Sequence, residues 1–558
     1  MLRKGKGNYV CEKRLAHFIS FADPRTKLIL ATLEKDGIVD LAEARHLTPY
    51  IKRAVCVNDA CGRECPRYGC CRYTRFLQNA KCGGFDFQVC NHNFLLADLL
   101  RRSRGERPLI QDYQAVIIDE AHKFLDAARQ MYGASLSLME LRQAAKDVHG
   151  FTFAHGVKTA DVTREAERIL SKSALMFQFL NKEVPAAQFE DDETERFATN
   201  IRQKTERIML ALHENTKTLY SMLSERQVAI KYEARKKQAL RTLSRINNSL
   251  TMFSQHSGLV YWLEESETPA AGLPDRVRFP VLQGIPKNLG KLLNSDLWGR
   301  NIPIILTSGT LSAEGSFEHI KRKMGLDHLP EKRLRESCKP SPFNHRENAL
   351  LYISEATPFP NNRDSDYIDA VTDEAERLIQ AAHGHTVLLF TSYKAMDMVW
   401  ERLGTRQLPY PVFRLDRGGA SVIEQFKQSG NGILFASGAI WEGIDIPGDI
   451  LSMLIIVRLP FAVPDPVGEW ERTLYGSLDE YKAEVVVPEM LIKLKQGFGR
   501  LIRTEKDSGC VAILDCRVNM SGSYRNRVLS ALPPCRVASD IEEVERFMRD
   551  RKPAAYFQ

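Results

Sequence analysis

Residues 115–124 read AVIIDEAHKF. The run from Ala115 to Ile118 is apolar and rich in β-branched residues, and it ends abruptly in two acids. A buried strand of a parallel sheet has this character, because both of its faces are covered and its loop emerges at the edge of the sheet. The segment therefore predicts an α/β fold in which the residues after the strand carry chemistry.

Further strand-like runs follow, with helical patterns between them. They are IPIILTSGTL at 302–311, HTVLLFTSY at 385–393, NGILFASG at 431–438, LSMLIIVRLPF at 451–461 and GCVAILDCR at 509–517. This alternation from Ile304 onward predicts a parallel α/β domain with both faces of its sheet covered. The final residues, RKPAAYFQ, are expected to form a frayed tail.

The composition excludes several classes of protein. With 558 residues, 44% hydrophobic and 27% charged, the chain has room for about three or four domains and lies far from disordered or fibrous compositions. It has no uninterrupted apolar stretch of about 18 residues and no signal-peptide core, so membrane insertion and secretion are not expected. The net charge of +8 permits a polyanionic partner without requiring one.

The segment between about Leu125 and Ser295 is long, charged and helical in pattern. Apolar residues recur at helical spacing among five basic residues, namely Arg235, Lys236, Lys237, Arg241 and Arg245. The pattern predicts a helical insertion with one basic face. For each basic residue, a solvated surface position and a nucleic-acid contact are equally good interpretations.

The cysteines are unevenly distributed. Seven of the 12 fall in one short window and another lies upstream, namely Cys56, Cys61, Cys65, Cys70, Cys71, Cys82 and Cys90 with Cys11. In a chain without a secretory signal, clustered thiols indicate metal ligands more readily than disulfides. This part of the chain is therefore interpreted as a small cysteine-rich insertion.

The tetrapeptide Asp-Glu-Ala-His at 119–122 follows its apolar strand directly. In that position Asp119 can hold Mg²⁺ through its water shell, and Glu120 can orient or deprotonate an attacking water. His122 can relay to a neighbouring domain. Acidic residues often cap the next helix, so the tetrapeptide alone is weak evidence, and the strand in front of it strengthens the catalytic interpretation.

Three other segments offer partners for this loop. They are TSGTL at 307–311, WEGIDIPG at 441–448 and QGFGRLIR at 496–503. In the last, Arg500 and Arg503 are three residues apart, so both are predicted to project from one helical face and clamp a triphosphate. A surface ion-pair face is the alternative, which the flanking glycines and Gln496 disfavour.

In order and spacing, these four segments closely resemble motifs II, III, V and VI of superfamily 2 helicases of the XPD/DinG type. The resemblance covers nearly the whole chain, and its distinguishing details are KGKGNYVC at 4–11, NHN at 91–93 and LPF at 459–461. It implies two RecA-like motor domains with ATP in the cleft between them and single-stranded DNA across the top. It also implies two insertions in the first, incomplete motor domain, an iron–sulfur domain and a helical arch.

By this resemblance the chain divides into five segments. Residues 1–100 hold the iron–sulfur domain and adjoining motor-domain residues, 101–126 the DEAH segment, 127–295 the arch, 296–345 the return to the first motor domain, and 346–558 the second motor domain. A cytoplasmic or nucleoid-associated location in a bacterium is expected.

The resemblance also assigns residues to sites. The catalytic set it implies consists of Asp119, Glu120, His122, Gln496, Arg500 and Arg503. The set at the nucleotide and DNA interface consists of Glu442, Gly443, Asp445 and Gly499. Within the first set, Asp119 would bind Mg²⁺, Glu120 would position the hydrolytic water, and the two arginines would be arginine fingers.

For the metal site, the resemblance maps the ligands best onto Cys11, Cys61, Cys65 and Cys71. Four thiolates are the ligands of a [4Fe–4S] cluster, although zinc in a Cys₄ site would use the same ligand types. Cys70 could replace Cys71, and Cys56 could replace Cys61.

A phosphate-cradling loop of the form G-x-x-x-x-G-K-[ST] does not occur in these 558 residues. The only candidate by composition, at 5–7, has the wrong spacing. The expectation is that the chain starts late, that a separate or missing N-terminal segment carries the loop, and that the chain alone binds ATP poorly and does not turn it over.

Two functions fit the sequence. The first is an ATP-dependent DNA helicase that translocates on single-stranded DNA, 5′ to 3′ as the family does, and unwinds forked duplexes. The second is a non-catalytic nucleic-acid-binding remnant of such a helicase. A different ATP-using α/β enzyme is disfavoured because WEGIDIPG and QGFGRLIR occur together. Tyr393 is assigned base stacking or core packing at even odds.

Overall fold

The computed structural model describes residues 1–557 except positions 36, 45–46, 59–60, 64, 149–150, 152, 154–159, 190–193, 230–231, 267–272, 362–363, 416–419, 438–445 and 447. The chain forms two compact units. The first comprises Met1–Ala186 and Glu195–Leu306, and the second comprises Ala187–Thr194 and Thr307–Gln558. The five predicted segments are finer than this division and stay a prediction.

The first unit begins with short helices and a pair of strands. In chain order these are β1 (Leu2–Arg3), α1 (Glu12–Phe21), α2 (Pro24–Lys35), α3 (Pro49–Val55), α4 (Arg72–Cys82), β2 (Val89–Cys90) and α5 (His92–Ser103). β1 and β2 pair in parallel. Leu15, Leu30 and Leu33 of α1 and α2 form a small core with Ile51 and Val55 of α3.

The strand of the DEAH segment pairs with one other described strand. β3 (Val116–Ile118) lies parallel to β8 (Ile304–Leu306), and α6 (Phe124–Tyr132) follows it. Ile118 is 1% exposed, whereas Ile117 is 64% exposed and its cross-strand neighbour Ile305 is 52% exposed. The prediction of a parallel strand is therefore confirmed, but its burial holds for one face only.

The remainder of the first unit is mostly helical, as its pattern predicts. Its helices are α7 (Leu138–Val148), α8 (Ala160–Lys182), α9 (Gln203–Glu225), α10 (Glu233–Phe253) and α11 (Leu289–Leu293). An antiparallel sheet that the sequence analysis did not predict packs against them. Its order is β4 (Ala134–Ser137), β7 (Val281–Pro286), β6 (Leu259–Glu264), β5 (Phe197–Ala198).

Helices and sheet share one core in this region. Leu136 and Leu282 of the sheet pack with Phe177, Leu243 and Phe253 of the helices. At Gly284 in β7, an added Cβ would lie 2.9 Å from the ring of Phe253. The strands are short and come from distant parts of the sequence, which is why local patterns did not reveal them.

The second unit is built on a seven-stranded, entirely parallel sheet. Its order is β11 (Val412–Leu415), β12 (Ile433–Ser437), β10 (Thr386–Phe390), β13 (Met453–Ile456), β14 (Gly509–Ile513), β9 (Ala349–Ile353), β15 (Arg536–Ala538). Every residue of β9, β10, β12, β13 and β14 is buried. An apolar core lies on each face, so the prediction of a parallel α/β domain covered on both sides is confirmed.

Helices connect these strands. They are α12 (Glu318–Met324), α13 (His345–Asn348), α14 (Ser365–Ala381), α15 (Tyr393–Gly404), α16 (Ala420–Ser429), α17 (Pro466–Arg472), α18 (Leu478–Tyr481), α19 (Val487–Phe498), α20 (Arg525–Ala531) and α21 (Ile541–Arg551). Within the described residues, no helix has both the length and the apolar character that crossing a bilayer requires.

The prediction of a frayed C-terminal tail is wrong. Tyr556 is buried, its ring stacks on His385 at 4.0 Å, and its hydroxyl donates to the carbonyl of Ala382. Lys552 is also buried, and its ammonium contacts Asp449 at 2.6 Å. One aromatic ring and one ion pair thus hold a segment whose local sequence shows no periodicity.

Helix α12 is attached to the neighbouring helices of its unit by buried polar contacts. Lys323 pairs with Glu489 and, at 3.4 Å, with Glu471. The imidazole Nδ1 of His319 donates to the carbonyl of Glu484 at 3.1 Å. Burial lowers the pKa of His319 to about 4, and the charge of Lys323 adds to this effect.

We expect His319 to make the protein less stable as the pH falls from about 6.5 to about 4. In that window the unfolded chain binds a proton at this imidazole and the folded chain does not, so protonation favours unfolding. Between these two pH values, the free energy of unfolding should fall by about 3 kcal/mol more in the parent than in His319→Gln. Urea denaturation at both ends measures this, with the exposed His328→Gln as control. Equal pH dependence in all three proteins would contradict it.

Candidate functional site

The DEAH loop lies at the carboxyl end of β3. Asp119 and Glu120 are both exposed there, and Ala121 is buried beneath them. Glu120 has φ 48° and ψ 45°, a left-handed conformation that costs energy for a residue with a side chain. Strain of this kind persists where the surroundings enforce it, and it is concentrated at functional sites. The loop therefore presents two carboxylates from a strained turn.

Two histidines hold this loop. Nδ1 of His122 lies 3.2 Å from a carboxylate oxygen of Glu120. Nε2 of His92 donates to the backbone carbonyl of Asp119 at 2.8 Å, and its ring packs edge-on against Phe124. His92 begins α5, where Asn91 caps the helix by accepting from the amide of Phe94. In the sequence analysis, residues 91–93 were only a detail of the family resemblance. The contact by which His92 positions the DEAH loop was not predicted.

A buried carboxylate shapes the connection from α5 to β3. Asp98 is fully buried and accepts hydrogen bonds from the amides of Leu109 and Ile110 at 2.6 and 2.8 Å. Its other oxygen accepts from Arg102 at 2.6 Å. Arg102 also pairs with Asp112, whose side chain is 95% exposed. The loop that leads into β3 is thus fixed by one acid.

Asp98→Ala is expected to reduce the free energy of unfolding by about 3–5 kcal/mol, because it leaves two amides and one N–H of the partly buried Arg102 without their acceptor. Asp112→Ala removes the exposed partner of the same arginine and should leave stability close to that of the parent. Urea denaturation followed by circular dichroism compares the two. Equal losses in both variants would show that burial of Asp98 is not what matters.

Four cysteines gather in the first unit. Cys11 directly precedes α1, Cys71 directly precedes α4, and Cys61 and Cys65 lie in the loop between α3 and α4. Burial raises the pKa of the Cys61 thiol, and Cys11, Cys71 and Cys65 raise it further as nearby acidic groups. Cys11, Cys61 and Cys71 share an apolar cluster that includes Tyr9 and Tyr73.

The two alternative cysteines have other surroundings. The thiol of Cys56 contacts the carbonyl of Arg53 at 3.4 Å and the guanidinium of Arg14 at 3.5 Å. Cys70 is exposed, and its thiol contacts the carbonyl of Arg67. In the described part of the chain no three His, Cys, Asp or Glu side chains meet at metal-coordination spacing. The four thiols are therefore neighbours without forming a closed ligand shell.

In the second unit, the segments TSGTL and QGFGRLIR meet. Nε2 of Gln496 donates to the hydroxyl of Thr310 at 3.1 Å. The hydroxyl of Ser308 accepts from the amide of Thr310 at 3.1 Å and lies 3.4 Å from its hydroxyl. A chain of polar groups thus links the two predicted segments.

Arg500 and Arg503 do not lie on one helical face, so that prediction is wrong. Helix α19 ends at Phe498, and Gly499 forms its C-terminal cap. The glycines at 497 and 499 weaken the helix there, which lets the chain turn before the arginines. The carboxylate of Asp507 then accepts from the amides of Arg503 and Thr504. Burial lowers the pKa of Arg503.

Three of the four residues predicted at the nucleotide and DNA interface, Glu442, Gly443 and Asp445, lie outside the described residues. The fourth, Gly499, is exposed. Tyr393 is partly buried against the core of the second unit, which favours packing over base stacking.

The basic residues of α10 are mostly engaged within their own unit. Arg245 pairs with Glu140, Arg235 donates to the carbonyl of Lys146, and Lys236 donates to the carbonyl of Arg226. These contacts favour a structural role for the three residues over nucleic-acid contact.

Comparisons with known proteins agree with the motifs. A family model described as the helicase C-terminal domain matches residues 375–535. The ATP-dependent DNA helicase YoaA of Haemophilus influenzae is 27% identical over 99% of this chain and 84% of the relative. The ATP-dependent helicase DinG of Mycobacterium tuberculosis is 25% identical over 98% of this chain and 82% of the relative. The structure of S. tokodaii Xpd4 aligns with a TM-score of 0.50 and 14% identity, over 81% of this chain and 82% of that one.

The covered parallel sheet, the DEAH loop after β3 and the matched C-terminal domain are similar to those of superfamily 2 helicases. The relatives and the matched domain confirm the resemblance to the XPD/DinG type that the motif order predicted.

Proposed function

We propose that the chain is an ATP-dependent DNA helicase that moves 5′ to 3′ on single-stranded DNA and unwinds forked duplexes. The observation that carries the proposal is the DEAH loop, where Asp119 and the strained Glu120 are exposed at a strand end. Relatives named as ATP-dependent DNA helicases that align with nearly the whole chain support the choice of substrate. The direction of movement rests on the family resemblance alone.

In this proposal the two carboxylates have different tasks. Asp119 would hold Mg²⁺, and the ion would neutralise phosphate charge when bound. Glu120 orients the water that attacks the γ-phosphorus and accepts its proton as the bond to the ADP oxygen breaks. His92 and His122 are proposed as positioning residues, because His92 holds the carbonyl of Asp119 and His122 lies against the carboxylate of Glu120.

By the family resemblance, groups of the second unit also take part in hydrolysis. Arg500 and Arg503 stabilise the charge that develops on the transferred phosphate. Gln496 and Thr310 link motif VI to motif III through their hydrogen bond. Glu442, Gly443, Asp445 and Gly499 are proposed to contact nucleotide or DNA by resemblance to the family.

We further propose that Cys11, Cys61, Cys65 and Cys71 hold a [4Fe–4S] cluster. The proximity of the other three thiols to Cys61 supports this set, and the separate contacts of Cys56 and Cys70 argue against those alternatives. Thiolates are the donors that such a cluster requires. When bound, it would cross-link the starts of α1 and α4 to the loop between α3 and α4.

Strand displacement and DNA-stimulated ATP hydrolysis test the proposed function. Because the 558 residues contain no G-x-x-x-x-G-K-[ST] sequence, we compare the chain alone with the chain joined to a segment that carries one, both purified without oxygen. We expect hydrolysis in the joined protein and unwinding of forks with a 5′ tail but not of those with a 3′ tail. DNA binding without hydrolysis in either protein would favour the non-catalytic alternative.

A further inference from the structure

A group of cations lies where α4 ends and the loop before β3 begins. Arg3 joins the two segments, because its guanidinium donates to the side chain of Gln88 and to the carbonyl of Leu109. Four arginines act electrostatically on Lys81, namely Arg3, Arg63, Arg101 and Arg107. Partial loss of solvent lowers the pKa of Lys81, and these arginines lower it further, with Arg107 the largest contributor among them. None of the helicase segments quoted above includes Lys81 or Arg107.

Part of this positive charge is not neutralised by the protein. Arg101 lies 3.5 Å from Glu106, and Arg102 is paired with two acids. Across the described residues, Lys81 and Arg107 form no ion pair, and both side chains belong to exposed residues. Arg3 is 4% exposed and donates only to neutral acceptors, the side chain of Gln88 and the carbonyl of Leu109.

Exposed aromatic rings follow Lys81 a few residues later in the chain. The loop that follows α4 carries Phe85 and Phe87, which are 39% and 77% exposed. The ring of Phe85 lies over Gly83, where an added Cβ would approach it to 2.7 Å. Asp86 and Glu106 are the acids of this surface, and each is exposed. Aromatic faces next to uncompensated cations are the combination that binds unpaired bases and their phosphates.

The surface is already ordered in the protein. The side-chain amide of Gln111 donates to the carbonyl of Lys81 at 2.5 Å and to the carbonyl of Gly83 at 3.3 Å. The guanidinium of Arg101 donates to the carbonyl of Arg107 at 2.8 Å. These bonds fix the backbone on which Lys81, Arg107 and the aromatic loop stand, so a ligand would not have to order it.

We propose that Lys81 and Arg107 bind backbone phosphates of single-stranded DNA while Phe87, with Phe85 beside it, stacks on its bases. This inference rests on the proposed function, because it names a DNA contact of the first unit outside the helicase motifs. It assigns the DNA-binding surface to the α4–β2 loop and the turn after α5, and it requires neither ATP nor hydrolysis.

Binding of fluorescein-labelled oligo(dT) by the full chain, measured by fluorescence anisotropy at several salt concentrations, tests the inference. The double variant Lys81→Gln/Arg107→Gln should bind about 25-fold more weakly at 0.1 M salt, and its slope of log K against log salt should be shallower by about 1.4. Phe87→Ala should weaken binding by roughly fivefold or more with the slope unchanged, because stacking does not release counterions.

Matched controls come from the same unit. Arg207→Gln removes an exposed arginine of α9 that makes no ion pair in the described chain, and Phe21→Ala removes a ring that is 77% exposed like Phe87. Both should bind oligo(dT) as the parent does. Parent-like binding by the double variant and by Phe87→Ala, or equal losses in the controls, would overturn the inference and leave the proposed function standing. No binding by the parent itself would overturn both.

Discussion

Glu120→Gln is expected to reduce DNA-stimulated ATP hydrolysis by about 10²- to 10⁴-fold and to leave DNA binding unchanged. The substitution keeps the size of the side chain but removes the carboxylate that orients water and accepts its proton. Nucleotide binding should persist, because the proposed Mg²⁺ contact is made by Asp119. Steady-state hydrolysis with saturating DNA and equilibrium binding of a fluorescent nucleotide measure the two effects in the protein joined to a phosphate-binding loop.

A nearby acid provides the control. Asp126 lies in the first turn of α6, its side chain is 73% exposed, and it pairs with Arg129 at 3.2 Å. Asp126→Asn removes the same charge close to the same loop without touching the end of β3, so hydrolysis should stay close to that of the parent. If Glu120→Gln hydrolyses ATP as fast as Asp126→Asn, Glu120 does not orient the attacking water.

The second large effect concerns iron. Cys61→Ser, purified without oxygen, is expected to lose nearly all of its iron and acid-labile sulfide, together with the visible absorbance of the cluster. A serine hydroxyl is a poor substitute for a thiolate, and Cys61 is the thiol whose pKa the other three raise. Iron and sulfide per chain, measured by colorimetric assay, give the result directly.

Cys56→Ser and Cys70→Ser are the matched controls, since each removes a thiol from the same part of the chain. Both should keep the iron of the parent, because their thiols contact the backbone at Arg53 and Arg67. If Cys70→Ser loses iron and Cys71→Ser keeps it, Cys70 is the fourth ligand in place of Cys71. Zinc in place of iron in the parent protein would replace the proposed cluster with a Cys₄ zinc site.

The sequence was most informative where chemistry and periodicity coincide. The buried strands of the second unit are continuous apolar runs, and their parallel arrangement follows from the helices between them. The DEAH tetrapeptide could be placed at a strand end because apolar residues stop abruptly at Asp119. The choice of cysteines came from resemblance to a family, since spacing alone left Cys56 and Cys70 open.

Contacts between distant residues were not predictable in this way. The sheet of β4 to β7 pairs Ala134–Ser137 with residues more than a hundred positions later. The docking of Tyr556 on His385 and the contact from His92 to Asp119 join segments with no shared pattern. Such contacts depend on how the elements pack, and no local propensity reports them.

What the sequence determined by itself is the class of fold and the position of the DEAH loop at a strand end, because local hydrophobicity shows where a buried strand lies and where it stops. Only the tertiary structure decided that Arg500 and Arg503 follow the helix instead of sharing one face of it, and that four of the clustered thiols are neighbours. It alone joined the loop after α4 to residues 109–111, through the side chains of Arg3 and Gln111. The physical reason is the same in each case: electrostatic and packing interactions act through space, and residues far apart in the chain meet only once the chain has folded.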